Sequence, residues 1–287
     1  MTLFRYARQA ASRGAGWKGR HLPELIANAR MYAATPAVAA LWTRLFSHVS
    51  ARAGAPLEVV AHPAPAPLDT LWSRPDMGLV FMCGWPFQRA EPRPVPVAAP
   101  VPVGEEEAIY RSDIIARADG PIHGLEDAFG GVMAWTAEGS HSGWNAPRRL
   151  LADHARGGAL FARTVGPVIT PRGAIAAVLN GEADIAPLDG YFHLLLKRHE
   201  PETAARLRVV AQTPAAPIPL LVASPRAPRA MIEPLRAALL STHEDDEGEE
   251  ILAALALRRF APAIPDSYAL TERWREEAEA AGYPRIA

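Results

Sequence analysis

The sequence predicts an α/β fold with mixed, mostly parallel sheets. Short apolar segments alternate with segments whose apolar residues recur at helical spacing, which is typical of strands connected by helices. The run Met77–Met82 is almost continuously apolar, as expected for a central strand that is covered on both faces. No repeat period interrupts this alternation, which excludes a repeat architecture.

The beginning of the chain contains clear boundary signals. Thr35 and Pro36 open a predicted helix, because Thr caps helix N-termini and Pro suits the first helical position, and Gly54 ends it. The other elements predicted before residue 92 are a strand over 22–32 with a loop at 31–33, a strand over 57–61, a short helix over Leu68–Trp72, the Met77–Met82 strand and a loop over 83–87.

Strands and helices continue to alternate in the rest of the chain. The strands are predicted over 108–116, 131–135, 183–189, 207–213 and 217–223, and the helices over 146–152, 170–181, 191–199, 228–242, 248–259 and 270–281. The acidic run 244–250 is predicted to be a solvated loop that leads into a helix.

Two proline-rich extended segments, 92–104 and 212–219, bracket the middle of the chain. They predict an inserted domain joined to its partner by two crossings, where hinge bending would act. The predicted division is a basic arm over 1–21, a first lobe over 22–105 and 213–287, and a second lobe over 106–212.

Composition excludes several classes of function. The chain has 287 residues, 49% of them hydrophobic, and a formal net charge of -1, which favours neither nucleic acid nor an anionic membrane as partner. The single cysteine, Cys83, excludes an internal disulfide and any multi-cysteine metal site, and the nine histidines show no paired ligand spacing. No metal, cofactor or membrane span is therefore expected.

The first 23 residues carry five basic side chains and no acidic one. No uninterrupted apolar stretch follows these charges, so the segment is not a secretory signal as written. The expected compartment is cytoplasmic for the sequence as written, and periplasmic if the true start or an export route lies elsewhere.

The most informative stretch is the turn over 139–145, between the predicted strand 131–135 and a helix with Pro147 in its first turn. Free backbone N–H groups and the hydroxyls of Ser140 and Ser142 can converge there on an anion, with the helix dipole adding to the attraction. The alternative is a Ser N-cap that binds no ligand.

Several segments in order resemble the phosphate, phosphite and phosphonate substrate-binding proteins of bacterial ABC transporters, which have the type 2 periplasmic-binding fold. The segments are 29–32, 83–86, 110–112, 140–143, 176–189 and 213–219. The resemblance covers roughly residues 22–286. It implies a ligand cleft between two lobes, a small oxyanion as ligand, an ABC permease as partner, a monomer and no catalysis.

The resemblance also implies a set of ligand-binding residues: Tyr32, Cys83, Gly84, Tyr110, Ser140, His141, Ser142, Gly143 and Asp189. Asp189 would accept a hydrogen bond from a protonated oxygen or an amine of the ligand, or else would only cap the following helix. Two departures stand out: His141 replaces the usual Thr, and Ile169-Thr170-Pro171 replaces a Gly-Ser-His. His141 would add a charge-assisted bond to the anion or retune the pocket for another ligand.

The side chains Arg111, Arg148, Arg149 and Arg172 are the candidates for neutralising the charge of the ligand. Two further functions stay open. One is an enzyme on the same scaffold acting on a pyrimidine or phosphorylated metabolite, for which only Cys83, His141 and Asp189 are candidate groups. The other is a cytosolic ligand-sensing or accessory module.

Overall fold

The computed structural model describes residues 24–156 and 158–287, in which strands and helices alternate as predicted. The predicted basic arm 1–21 lies outside these residues. The strands are β1 (Leu25–Asn28), β2 (Leu57–Val59), β3 (Met77–Met82), β4 (Val95–Pro102), β5 (Ile109–Tyr110), β6 (Ser112–Arg117), β7 (Val132–Ala134), β8 (Arg163–Val165), β9 (Ile185–Asp189), β10 (Leu207–Gln212), β11 (Ala216–Pro217), β12 (Leu220–Ala223) and β13 (Leu257–Ala261).

The α-helices of the described part vary in length from one turn to five. They are α1 (Pro36–Ala53), α2 (Leu68–Trp72), α3 (Gly84–Arg89), α4 (Ala146–Ala155), α5 (Pro171–Leu179), α6 (Gly190–His199), α7 (Pro201–Ala205), α8 (Arg229–Leu240), α9 (Asp246–Ala254) and α10 (Ala269–Ala280). A single π-helical turn, His141–Asn145, leads directly into α4. None of the helices in the described part combines the length and the apolar character that crossing a bilayer requires.

Two mixed sheets form the centres of two lobes. The six-stranded sheet has the order β13-β4-β12-β3-β1-β2, and the five-stranded sheet has the order β10-β6-β9-β7-β8. The prediction of mixed sheets in two lobes is confirmed. The expectation that the sheets are mostly parallel is wrong. Antiparallel pairs outnumber parallel ones among the described residues, because the strands next to the two connections between the lobes, β4, β6, β10 and β12, pair antiparallel to their neighbours.

The two crossings meet in a small antiparallel sheet of β5 and β11, with Tyr110 opposite Ala216. The first crossing was expected in the proline-rich stretch 92–104, and this expectation is wrong. Residues 95–102 instead form β4 inside the six-stranded sheet, where register shifts in both neighbouring pairs accommodate prolines that lack an N–H donor. The exact boundaries of the predicted lobes stay a prediction.

The C-terminal helix α10 lies across both lobes. It packs on α3 of the first lobe and on α4 of the second. The Asn145 side chain donates to the Thr271 carbonyl at 2.7 Å, and the Leu160 N–H donates to the Ala287 carbonyl at 2.7 Å. The end of the chain therefore braces the second lobe, although the prediction assigned it to the first.

Helix α1 has the boundaries that its sequence predicts. The Thr35 hydroxyl accepts a hydrogen bond from the Val38 N–H at 3.0 Å, Pro36 occupies the first helical position, and Gly54 follows the last helical residue. Its buried side chains recur at helical spacing and pack under the six-stranded sheet: Val38, Trp42, Leu45, Phe46 and Val49.

Other element predictions need correction. Helix α3 begins immediately after Cys83 instead of the expected loop, since Pro86 lies in the first turn, where a missing N–H has no cost. The predicted helix over 248–259 stops at Ala254, and Leu257–Ala261 forms β13, in which Leu257 and Phe260 are buried. The predicted strand 108–116 is split at Arg111, and the strand expected over 22–32 is only β1 followed by a 3-10 turn.

Candidate ligand-binding cleft

A cleft of about 660 Å³ opens between the two lobes and contains five of the nine predicted ligand-binding residues. From the second lobe come Ser140, Ser142 and Gly143 at the start of the α4 segment, and Asp189 at the end of β9; Cys83 comes from the end of β3 in the first lobe. The structure thus brings together segments that lie far apart in the sequence, at the carboxyl ends of strands, where α/β sheets bind ligands.

The Ser140 turn has the local geometry that the sequence predicts. The Ser140 hydroxyl oxygen accepts from the Gly143 N–H at 2.9 Å, which is an N-cap, and its own proton stays free to donate to a ligand. Gly143 is required here because a Cβ atom would lie 1.7 Å from the Thr136 hydroxyl oxygen. The cap and the anion site are therefore compatible, and the two alternatives for Ser140 do not exclude each other.

Asp189 caps α6 and also faces the cleft. Its Oδ1 atom accepts from the N–H groups of Tyr191 at 3.0 Å and Phe192 at 3.1 Å, and its Oδ2 atom accepts from the Tyr32 hydroxyl at 3.3 Å. Burial raises the pKa of Asp189 to about 7, and these hydrogen bonds offset the shift only in part. Near neutral pH the carboxyl group is a proton acceptor or a proton donor according to its ligand.

Tyr32 and Tyr110 lie behind the cleft wall and are 1% and 4% exposed. Tyr32 packs edge-to-face on Phe81 and Tyr191 and reaches the ligand region only through Asp189. The Tyr110 hydroxyl is buried without a hydrogen-bond partner among the described residues. Burial and the nearby Cys83 and Asp189 raise its pKa well above the ordinary value, so it is a neutral donor beside the cleft.

Cys83 connects the lobes through its sulfur atom. The Sγ atom accepts from the His141 N–H at 3.3 Å, and the thiol is 5% exposed. Burial raises its pKa to about 11, although backbone N–H groups directed at the sulfur act in the opposite direction. Gly84 does not line the cleft: it is packed so closely on Tyr268 that a Cβ atom would lie 2.6 Å from the ring.

The His141 side chain does not reach the cleft, so the expected charge-assisted bond from its imidazole is not formed. The ring stacks on Trp274 with centroids 5.3 Å apart, and Nδ1 lies 3.1 Å from the Asn145 side-chain nitrogen. Burial lowers the pKa of His141 to about 3, which keeps the ring neutral. The π-helical turn directs the side chain inward and leaves only the backbone N–H near the cleft.

The four arginines considered for charge neutralisation are all engaged within the protein. Arg111 pairs with Glu105 at 2.6 Å, Arg149 with Glu277 at 2.6 Å, and the buried Arg148 donates to the Pro284 carbonyl at 2.5 Å. Arg172 lines the cleft, but its guanidinium forms a bidentate pair with Glu200 at 2.7 Å and donates to the Ala34 carbonyl of the other lobe.

Sequence reasoning missed the walls of the cleft. One wall is the segment 63–68, with Arg30 and Met31 beside it, and the opposite wall contains Ile169 and Phe192. The available signal was the run of Pro63, Pro65 and Pro67 after a strand, which marks an irregular segment at the carboxyl edge of a sheet. In the described part of the chain, no group of three or more His, Cys, Asp and Glu side chains is arranged to hold a metal ion.

Fold and cleft define a two-lobed α/β binding protein whose interlobe cleft contains the Ser140–Gly143 turn. The model of one family, described as ABC transporter, phosphonate, periplasmic substrate-binding protein, matches residues 32–268. The chain belongs to this family. Its members are non-catalytic solute-binding components of ABC transporters.

Solved structures agree with this assignment of the fold. A binding-protein component of an ABC phosphonate transporter from Pseudomonas aeruginosa is 18% identical, with a TM-score of 0.76 over 90% of this chain and 88% of that one. PhnD1 from Prochlorococcus marinus, in complex with methylphosphonate, is 18% identical, with a TM-score of 0.70 over 89% and 98%. The ATP-bound protein XAC2383 from Xanthomonas citri is 17% identical, with a TM-score of 0.62 over 90% and 97%. Among curated proteins, no relative matches the sequence significantly.

Proposed function

We propose that this protein captures a phosphonate- or phosphate-like oxyanion between its two lobes and delivers it to an ABC permease in the cell envelope. The observation that carries the proposal is the Ser140–Gly143 turn, which lies in the interlobe cleft at the start of the α4 segment. Family membership supports a periplasmic location and a permease partner.

The proposed anion site uses uncharged donors. Ser140 and Ser142 line the cleft together with Asp189, and the buried Tyr110 hydroxyl lies behind the cleft wall, close to Ser142. Hydrogen bonds from fixed neutral donors stabilise an anion in a dehydrated cleft without a counter-ion. The carboxyl group of Asp189 selects ligands that carry a proton on one oxygen, or an amine, because an ionised carboxylate repels a dianion.

The geometry gives little support to the enzyme alternative. The His141 contact with Cys83 is made by the backbone N–H, so no side-chain base is bonded to the thiol. A thiol with a pKa of about 11 has almost no thiolate near neutral pH. We infer that Cys83 is a packed interlobe contact. Phosphorus NMR of a bound phosphonate, with no change of its resonance over hours, is the expected result; turnover would contradict the inference.

The test of the anion site is calorimetric titration of Ser142→Ala with methylphosphonate. Hydrogen bonds to charged groups contribute ~1.5–3 kcal/mol each, so loss of one donor should weaken binding by roughly ten- to a hundredfold. Ser267→Ala is the matched control, because the Ser267 hydroxyl only donates to the Ile264 carbonyl on an exposed turn. The double variant Ser140→Ala, Ser142→Ala should bind more weakly still, and unchanged affinity in it would remove the turn from the site.

A further inference from the structure

Most of the cleft surface beyond the Ser140 turn is apolar. The first lobe contributes Met31, Trp72 and the proline-rich segment 63–68, and the second contributes Ile169 and Phe192. A small oxyanion would contact the floor and leave these walls in water. Apolar walls inside a concave site are typical of ligands that bring apolar surface of their own.

The volume of the cleft also indicates a ligand larger than a small oxyanion. A methylphosphonate ion has five heavy atoms and displaces roughly five water molecules, or ~150 Å³ at about 30 Å³ each. The cleft measures about 660 Å³, which leaves most of it unfilled by such a ligand.

Ile169 is the most unusual residue of these walls. Its φ angle is 66°, and the Thr170 N–H donates to the Val168 carbonyl at 2.7 Å, which makes Ile169 the centre of a strained γ-turn. A β-branched residue disfavours this conformation, which Gly or Asn adopts far more readily. The Ile169 N–H donates at 2.9 Å to the carbonyl of Thr136, the residue whose side chain packs on Gly143.

The Ile169 side chain is 48% exposed although it faces the cleft. A strained backbone that presents a large apolar side chain to a binding site indicates a functional constraint. The polar groups beside it are engaged: the Thr170 hydroxyl accepts from the Gly173 N–H, and Arg172 is paired with Glu200. The surface around Ile169 therefore offers contact to carbon and little to a sugar or an amine.

We propose that the ligand is an organic phosphonate with an apolar substituent of several carbons, alkyl or aryl, which lies between segment 63–68 and Ile169. This inference rests on the proposed function, since the phosphonate group would occupy the site at the Ser140 turn. The substituent covers Ile169 and Phe192 when the lobes close. Methylphosphonate and inorganic phosphate are then weak ligands of the same site.

The test is calorimetric titration of the full chain with methyl-, butyl-, hexyl- and phenylphosphonate. Burial of each methylene favours binding by about fourfold, so butylphosphonate should bind at least ~10-fold more tightly than methylphosphonate. Equal affinity for methyl-, butyl- and phenylphosphonate would overturn the inference and leave the proposed function intact. Failure of all phosphonates to bind would overturn the proposed function and this inference with it.

Hexanoate serves as a second probe in the same titrations. Tight binding of hexanoate without binding of hexylphosphonate would keep an apolar subsite but overturn the phosphonate ligand proposed here. Hexanoate that binds at least ~10-fold more weakly than hexylphosphonate is the expected result.

A pair of variants tests whether the apolar substituent of the ligand contacts Ile169. Ile169→Asn should weaken phenylphosphonate about tenfold and change methylphosphonate less than about twofold, because only the apolar contact is lost. Asn adopts positive φ angles more readily than a β-branched residue, so the fold should be preserved, which the melting temperature checks. Ile264→Asn is the matched control: Ile264 is 66% exposed and lies outside the cleft, and its substitution should change neither affinity. Equal effects of both variants on the affinity for phenylphosphonate would contradict the placement of the substituent against Ile169.

Discussion

Substitution of Asp189 by Asn tests the electrostatics of the cleft most directly. The carboxyl group is 7% exposed, and burial raises its pKa from the ordinary 3.8 to about 7. Asn has nearly the same shape and is an equally good N-cap, so the acceptor for the Tyr191 and Phe192 N–H groups is kept. The variant therefore removes the ionisation, and with it only the acceptor of the long Tyr32 hydrogen bond at 3.3 Å.

The pKa shift fixes the sign of the effect on stability. Because the pKa of Asp189 is higher in the folded state, the folded protein binds more protons between pH 3.8 and about 7 and loses stability as pH rises through this window. The difference between the two pKa values corresponds to about 4 kcal/mol at pH 8. Asp189→Asn should therefore be the more stable protein at pH 8, and its advantage should grow by about 3 kcal/mol between pH 5 and pH 8.

Urea unfolding of both proteins, followed by circular dichroism over this pH range, measures the difference. Asp245→Asn is the matched control, because Asp245 caps α9 in the same way, with Oδ1 2.8 Å from the Gly248 nitrogen. The hydrogen bond from the Gly248 N–H holds the pKa of Asp245 below its ordinary value. The ionised Asp245 carboxylate therefore stabilises the fold at pH values above that ordinary pKa. Asp245→Asn should be less stable than the parent at pH 8. If Asp189→Asn is also less stable than the parent protein at pH 8, the raised pKa of Asp189 is refuted.

Three further predictions follow from named contacts in the cleft. Cys83 should react with a thiol reagent at pH 8 only after urea unfolding, since a pKa of about 11 leaves ~0.1% thiolate, and rapid labelling of the folded protein would contradict its burial. Gly143→Ala should lower the melting temperature and abolish methylphosphonate binding because of the clash with Thr136, whereas Gly139→Ala, whose Cβ atom would meet nothing within 4 Å, should do neither. The affinity for methylphosphonate should change less than about threefold between 0.05 and 0.5 M salt, because the proposed donors are uncharged; a steep decrease in the titration series would indicate a cationic contact.

The predictable parts of the fold are those whose signals are local. Thr35, Pro36 and Gly54 bound α1 because capping and backbone preference act within a few residues. The run Met77–Met82 forms a strand with both faces covered, as a continuous apolar pattern requires. The same locality explains the correct Ser140 turn, whose cap bond joins residues only three positions apart.

The errors arise where a distant partner decides the local structure. Residues 257–261 continue the helical pattern of α9 without a Gly or Pro to stop it, and only pairing with β4 makes them a strand. Four prolines in 94–102 indicated an extended connection between the lobes, yet β4 pairs on both sides. The imidazole of His141 is directed inward by Trp274, a residue of the C-terminal helix that no local pattern connects with it.

The two departures from the family pattern have different physical consequences because one is buried and the other faces the cleft. His141 is 1% exposed and neutral, so exchanging Thr for His there changes the packing of α10 on the π-helical turn. The segment Ile169-Thr170-Pro171, where the resemblance leads us to expect Gly-Ser-His, lies on the surface of the cleft itself, and Ile169 is 48% exposed there. A departure on the wall changes the free energy of ligand binding directly, whereas one behind the wall acts only through the backbone. The choice of ligand in this protein is therefore expected to depend on Ile169 and segment 63–68 more than on His141.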